Sequence, residues 1–342
     1  MRKYELKAGN LRNMHLVETQ LPPAGPEEVS IKVKTIGLNF ADVFAIWGLY
    51  SATPKGIFTP GLEYAGVVTA VGDKVQNVKI GDEVMGVTRF GGYATYLNID
   101  HRYVVPLPRG WTMEQGASFL VQVLTAYYGL MELGNLKKGG TVLVHSAAGG
   151  VGILANRIAK RFGAYTIGSV GSDSKVDFLK QEGYDKVIVR SKQFASDLKN
   201  VLEDRELNLI MECIGGKILK EGFEQLAPQG RMVIYGSARY AAPGDKPNYL
   251  KILYQHFTRP KFDPQEMIHT NKAMLGFNLI WLYERVEIMH DIIQKVQDLK
   301  LPPPHVGHTF TFDKLPEAIR LFQKGKTIGK IVVLVNKNKK EN

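Results

Sequence analysis

From Glu28 to Asn98 apolar positions recur at every second residue, and glycine interrupts them often. In EVSIKVKTIG, Val29, Ile31 and Val33 alternate with other side chains, and YAGVVTAVGDKV, GDEVMGV and GGYATYLNI continue as short strands split by turn residues. The pattern predicts a compact, barrel-like β region. From Met113 to Leu133 the rhythm turns helical with apolar residues all round, as expected of a buried helix joining two regions. Beyond Lys138 strand and helix alternate. TVLVH precedes GILANRIAKRFG, AYTIGSV precedes KVDFLKQEG, DKVIV precedes FASDLKNVLED, LNLIMECIGG precedes ILKEGFEQLAP, and GRMVIYGS closes the series. Such alternation predicts parallel strands with crossover helices, a doubly wound α/β sheet. A long helix is predicted around Trp281 to Leu299, and FDKLPEAIRLFQKGKTIGKIVVLV adds a helix and a strand that could return to the first region.

Composition narrows the class. The 342 residues exceed one ordinary core and suggest about two domains. A single cysteine, Cys213, excludes an intrachain disulfide and a cysteine-rich zinc cluster, which fits a reducing compartment; a cytoplasmic setting is expected. MRKYELKAGN has no apolar stretch behind its charges, so no secretory signal is expected. No run of 18 apolar residues predicts a transmembrane segment. The net charge of +11 suits nucleic acid, an acidic membrane surface or a phosphate-bearing ligand. Lysine and arginine are scattered, however, and the one dense run, NKNKKEN, reads as a solvated tail, so no specific nucleic-acid partner is expected.

Chemistry concentrates at HSAAGGVG. Ala147, Gly149 and Gly152 fill the three small-residue positions of a dinucleotide turn between a strand and a helix. Gly149 and Gly150 let backbone approach a pyrophosphate at the positive end of the helix, and Gly152 lets helix and strand pack closely. The next strand ends in SVGSDSK, with Ser172 and Lys175 where NAD sites usually carry an acid; Arg190 ends the third strand. A hydroxyl and two cations suit a 2′-phosphate, so NADPH is expected as cofactor. Asp173 keeps open a displaced NAD-type acid, and Lys175 also reads as an exposed first-turn helix residue. His145 admits two roles, proton donor or packed strand-end residue.

The motifs GLNFADVFAIWGLY from Gly37, PGLEYAGVVTAVG from Pro60, GGYATY from Gly91, LTAYYGL from Leu124, HSAAGGVG, CIGG from Cys213 and GKIVVLV from Gly329 together resemble the zinc-free quinone oxidoreductase branch of the medium-chain dehydrogenase/reductase superfamily. Within it, NKAMLGFNLIWL from Asn271 and the helical C-terminal region resemble the vesicle amine transport protein group. The resemblance implies a GroES-like β-barrel catalytic domain over 1–120 and 275–342 and a Rossmann NADP-binding domain over 121–274, with the active site in the cleft between them. It implies hydride transfer from NADPH to a quinone or an α,β-unsaturated carbonyl, or, alternatively, an NADPH-binding protein of weak turnover that acts through lipid or protein contacts.

By the same resemblance, Asn39 and Thr125 lie near the nicotinamide and its ribose, and Asn39 joins Tyr50 as a candidate catalytic residue. Ala148, Gly149, Gly150 and Val151 hold the pyrophosphate; Ser172 and Lys175 hold the 2′-phosphate; Ser237 lies beside the cofactor. Gly276 and Phe277 hold the carboxamide through their backbone, Lys330 lies on the adenosine-phosphate side, and Tyr50 lines the substrate cleft. Arg190 stands where relatives often carry tyrosine, which either strengthens phosphate binding or weakens ring stacking. Zinc-dependent relatives carry cysteine and histidine where this chain has Asn39 and Leu62, so no metal is expected. His305 and His308 follow PPP without a third ligand and read as surface residues. Arg157, at a position normally glutamine, reads as a neutral substitution on a helix surface.

Hydride transfer to a quinone needs orientation more than a strong acid, whereas an enone needs a donor for the developing enolate, with Tyr50 or ribose hydroxyls available. Tyr50 equally reads as a residue that only shapes the cleft. A homodimer is expected, with GRMVIYGS as its edge strand.

Overall fold

The computed structural model describes residues 1–335; the NKNKKEN run lies outside the described residues. The chain forms two compact units. One holds Met1–Val121, Pro243–Pro247 and the chain from Pro303 onward, and the other holds Gln122–Ala242 and Asn248–Pro302.

The first unit opens with β1 (Arg2–Lys7), β2 (His15–Glu18), β3 (Glu28–Gly37), β4 (Ile57–Phe58), β5 (Glu63–Val71), β6 (Glu83–Val87), β7 (Tyr96–Asp100) and β8 (Val104–Pro106). The second carries β9 (Thr141–His145), β10 (Tyr165–Val170), β11 (Lys186–Val189), β12 (Leu207–Glu212), β13 (Leu226–Ile234) and β14 (Ala273–Gly276). The chain then returns to the first unit with β15 (Val306–Thr311) and β16 (Lys330–Leu334).

Alternation along β3 does what it predicts: Val29, Ile31 and Val33 are fully buried. The larger sheet of the first unit runs β15-β16-β3-β5-β6-β8, with β7 also paired to β3. β16 lies antiparallel to β3, with Val332 opposite Gly37. Just past that register the Leu38 N–H donates to Ile331 O at 3.0 Å. This pairing brings the start of the last strand beside the loop that follows β3.

In the second unit six strands run in the order β11-β10-β9-β12-β13-β14, every pair parallel. Leu143, Ile167, Ile188, Ile210 and Met232 from these strands pack with Phe194 and Leu198 of helix Phe194–Leu202 into one core. All crossovers are helical, so all the strand C-termini share one edge, where doubly wound sheets bind ligands.

Three expectations need correction. GRMVIYGS is not an edge: β13 is flanked by β12 and β14, so β14 and β11 are the outer strands. The return to the first unit comes at Pro303 rather than 275, because β14 adds to the parallel sheet through Met232↔Met274 and Val233↔Leu275. The predicted helix from Met113 to Leu133 is broken into Met113–Gly116, Leu120–Tyr127 and a π-helical turn at Tyr128–Leu133. Among the described residues no helix is long and apolar enough to cross a membrane.

Candidate active site

Candidate residues gather in each unit. In the second, β9 ends at His145, and Ser146 turns the chain with a φ of +51°. The Gly149 N–H closes the turn onto Ser146 O at 2.8 Å, and helix Gly150–Arg161 begins at once. Gly149 caps that helix without a side chain, so the N-terminal amides and positive dipole end of a twelve-residue helix face whatever lies over the turn. Gly152 is required sterically: a Cβ there would lie 2.6 Å from both Cα and O of Ala147. Ala148 is buried beneath the turn, while Gly149, Gly150 and Val151 are half-buried at its surface. This cradle fits a pyrophosphate.

The neighbouring strand ends supply cations. Ser172 caps a short turn, Asp173–Lys175, that follows β10, and its hydroxyl lies 2.8 Å from Ser174 Oγ. Lys175 is not an exposed helix residue; it retains 8% exposure, and burial, aided by the charge of Arg190, lowers its pKa. Arg190, at the end of β11, donates from Nη1 to both the carbonyl and the hydroxyl of Ser169, each at 3.0 Å. Its Nη2 lies 3.2 Å from where a Cβ on Gly171 would stand, which sets the guanidinium beside the Gly171–Ser172 strand end. Asp173 is exposed. Two cations drawn together at partial burial raise each other's electrostatic cost, an arrangement that fits a polyanion.

Farther along the same edge, Ser237 follows β13, its Oγ 3.2 Å from the Cβ position of Gly215. Gly276 ends β14 opposite Ile234, and the Phe277 N–H donates to Ile234 O at 3.1 Å. The Phe277 ring packs edge-on to Tyr128 and stacks on Tyr235. Thr125 is buried within helix Leu120–Tyr127. The structure thus brings Ala148 to Val151, Ser172, Lys175, Arg190, Ser237, Gly276 and Phe277 to the C-terminal edge of one sheet.

In the first unit a buried polar cluster surrounds Asn39. The Lys330 Nζ donates to Asn39 Oδ1 at 2.8 Å and to Glu63 Oε2 at 2.7 Å. Asn39 Nδ2 approaches Glu63 Oε2 and Gly37 O, each at 3.3 Å, and its backbone N–H donates to Asp42 Oδ2 at 2.8 Å. Glu63 Oε1 accepts from the Val121 N–H at 3.0 Å. Burial pushes the Asp42 carboxyl up to about 7, against the lowering effects of the Asn39 N–H, the Tyr93 hydroxyl and Lys330. Lys330, expected on the adenosine-phosphate side, is 3% exposed and spends its ammonium on Asn39 and Glu63. The Asn39 amide is likewise engaged internally. Tyr50, half-buried, packs edge-on to Phe90 at 6.5 Å on the loop after helix Phe40–Ile46.

Residues 25–109 match the family described as alcohol dehydrogenase GroES-like domain, and residues 150–294 match that described as zinc-binding dehydrogenase. The human synaptic vesicle membrane protein VAT-1 homolog is 33% identical over 326 residues, covering 94% of this chain and 82% of that protein. The chain belongs to the medium-chain dehydrogenase/reductase superfamily of oxidoreductases. Its fold is therefore a GroES-like domain with a Rossmann domain. The quinone oxidoreductase of Thermus thermophilus, whose structure includes an NADPH complex, superposes with a TM-score of 0.80 at 26% identity, covering 98% of this chain and all of that one. The CurK enoyl reductase gives 0.83 at 25% identity, covering 98% and 99%.

Zinc does not fit this member. Leu62 has no donor atom, and Asn39 Oδ1 and Glu63 Oε2 both accept from the Lys330 ammonium, a cation supplied by the chain itself. Among the described residues no group of three His, Cys, Asp or Glu side chains could hold a metal ion.

Glu63, Asp42 and Ser169 belong to no motif that marks them as site residues. Glu212 did leave a signal, an acid inside the apolar run LNLIMECIGG. Arg157 is not neutral: its guanidinium pairs with Glu182 at 2.9 and 2.7 Å on the half-buried face of its helix.

Proposed function

We propose that the protein is a zinc-independent, NADPH-dependent reductase that delivers hydride to a quinone or to the β carbon of an α,β-unsaturated carbonyl. One observation carries this reading: Ser172, Lys175 and Arg190 gather at the ends of β10 and β11, beside the glycine turn, where a 2′-phosphate would meet a hydroxyl and two cations. NADPH held there supplies the hydride. The amides from Gly149 to Val151 take the pyrophosphate. Thr125 and Ser237 flank the ribose and nicotinamide, and the backbone of Gly276 and Phe277 orients the carboxamide. Asn39 serves by holding Lys330 and Glu63 in register rather than by touching the substrate.

A quinone that accepts hydride becomes a hydroquinone anion and takes its proton from water, so neither metal nor strong acid is required. An enone that accepts hydride at its β carbon carries charge on the enolate oxygen. The Tyr50 hydroxyl is the chain's donor to that oxygen, and the α carbon is then protonated from water. The relatives that bind quinone or enoyl substrates by name support this range of acceptors. The proposal includes a homodimer, with β14 rather than β13 as the outer strand open to pairing.

A second reading, an NADPH-binding protein that acts through lipid or protein contacts, is favoured by one feature. Helix Tyr249–Phe257 leaves Leu250 83% and Phe257 76% exposed, with Tyr249, Leu253 and Tyr254 also uncovered. Binding of NADPH and NADH, followed by nicotinamide fluorescence and then by oxidation with 1,4-benzoquinone, 9,10-phenanthrenequinone and a simple enone, separates the two. Turnover of any acceptor supports the reductase; tight NADPH binding without turnover supports the second reading.

A further inference from the structure

Beneath the glycine turn lies a buried polar chain that the proposed chemistry does not use. Arg190 Nη1 donates to Ser169 Oγ at 3.0 Å, and that hydroxyl lies 2.5 Å from His145 Nδ1. On its other side His145 Nε2 lies 3.2 Å from Glu212 Oε2, both side chains fully buried, and neither atom makes a hydrogen bond. Glu212 Oε1 accepts the backbone N–H of Gly215 at 2.7 Å and that of Ile214. Glu212 also acts on Arg190 as a stabilising negative charge. A row of such groups inside an apolar sheet is costly to maintain unless every member is satisfied.

Counting protons fixes its direction. Arginine can only donate, so Ser169 Oγ accepts from it and has one proton to give. That proton goes to His145 Nδ1, which must then be bare. The imidazole is neutral, its pKa driven down to about 3 by burial and by Arg190, so it carries its own proton on Nε2, on the side that faces the Glu212 carboxyl group. The reverse tautomer would leave the Ser169 hydroxyl facing two donors with its own proton unplaced. In that arrangement the Ser169 hydroxyl holds the Arg190 guanidinium beside Gly171.

We infer that Ser169, with His145 and Glu212 behind it, are positioning residues that hold Arg190 in its phosphate-facing orientation and so set the preference of the Rossmann unit for a 2′-phosphorylated dinucleotide. This rests on the NADPH reading above. Arginine is flexible, and its contribution to anion binding depends on arriving pre-oriented.

The test uses full-length protein and dissociation constants for NADPH and NADH at one fixed salt concentration. Ser169→Ala, which removes only a hydroxyl, is expected to weaken NADPH about tenfold while leaving NADH within about twofold. Glu212→Gln keeps the shape, and it is expected to reduce the same ratio. The His145 ring nitrogen shifts should report the Nε2–H tautomer in the wild type and lose that signature in Ser169→Ala. If Ser169→Ala weakens both nucleotides equally, or neither, or if His145 carries its proton on Nδ1, the relay is overturned while the NADPH reading stands. A wild-type protein that prefers NADH, or binds neither nucleotide, overturns that reading and the relay with it.

Discussion

The ammonium of Lys330 lies 2.7 Å from Glu63 Oε2, with the lysine 3% exposed and the glutamate fully buried. The first unit thus holds its own fixed cation among Asn39, Glu63 and Asp42. Breaking one side of such a pair leaves an uncompensated charge in a low-dielectric interior. Lys330→Met is expected to lower unfolding stability by about 3 to 5 kcal/mol, and Lys330→Met combined with Glu63→Gln to recover part of that loss. Urea denaturation of the two variants measures it. A single variant within about 1 kcal/mol of wild type would mean that water reaches the pair.

That cluster was not legible in the sequence, and the reason is topological. Lys330 is separated from Asn39 by 291 residues and from Glu63 by 267, and the antiparallel registers of β16 and β5 on β3 join them. Strand–helix alternation after Lys138 and the turn at Gly149 could be read directly, because hydrophobic period and glycine sterics act over a few residues. The true edge of the Rossmann sheet is hidden in the sequence for a related reason. Ala273–Gly276 is only four residues long and too short to show a period, so its pairing with β13 is decided by tertiary structure.

The buried acids should tilt the pH dependence of stability. Burial raises Asp42 and Glu212 to about 7 in the folded chain, whereas the unfolded chain releases those protons in the ordinary carboxylate range. Between about pH 4.5 and 7 the folded state therefore holds more protons than the unfolded one, and these two groups make stability fall as pH rises. His145 acts oppositely. Its folded pKa is lowered to about 3, so its contribution is lost as pH falls below the unfolded value and down through 3. Asp42→Asn should remove one proton's worth of slope, at most about 1.4 kcal/mol per pH unit. Thermal unfolding of wild type and variant across pH 4.5 to 7.5 checks it; parallel curves would show that Asp42 ionises normally.

Gly152 has backbone, not a flexible side chain, in the space a methyl group would need. Gly152→Ala must therefore push helix Gly150–Arg161 away from the turn at Ala147. The expected cost is about 1 to 3 kcal/mol in stability, with NADPH binding weakened because the helix amides move from the pyrophosphate. Gly163→Ala, in an open turn at φ +70°, is the control: it strains the backbone but leaves the cradle in place. Equal losses of nucleotide affinity in both variants would argue against a cradle at Gly149 to Gly152.

Lys175 distinguishes the cofactor half of the proposed function most directly. Its ammonium is largely buried beside Arg190, a position with a clear purpose if a 2′-phosphate lies against it. A charge-assisted hydrogen bond is worth about 1.5 to 3 kcal/mol, so Lys175→Met should weaken NADPH roughly 10- to 100-fold. NADH has no phosphate there and should bind unchanged or slightly better, since removing one cation relieves the repulsion from the other. The NADPH affinity of the wild type should also fall more steeply with added salt than that of the variant, because one phosphate contact has been lost. If Lys175→Met lowers both affinities together, the lysine supports the strand end rather than the cofactor, and discrimination between the two nucleotides must come from Ser172 and Arg190 alone.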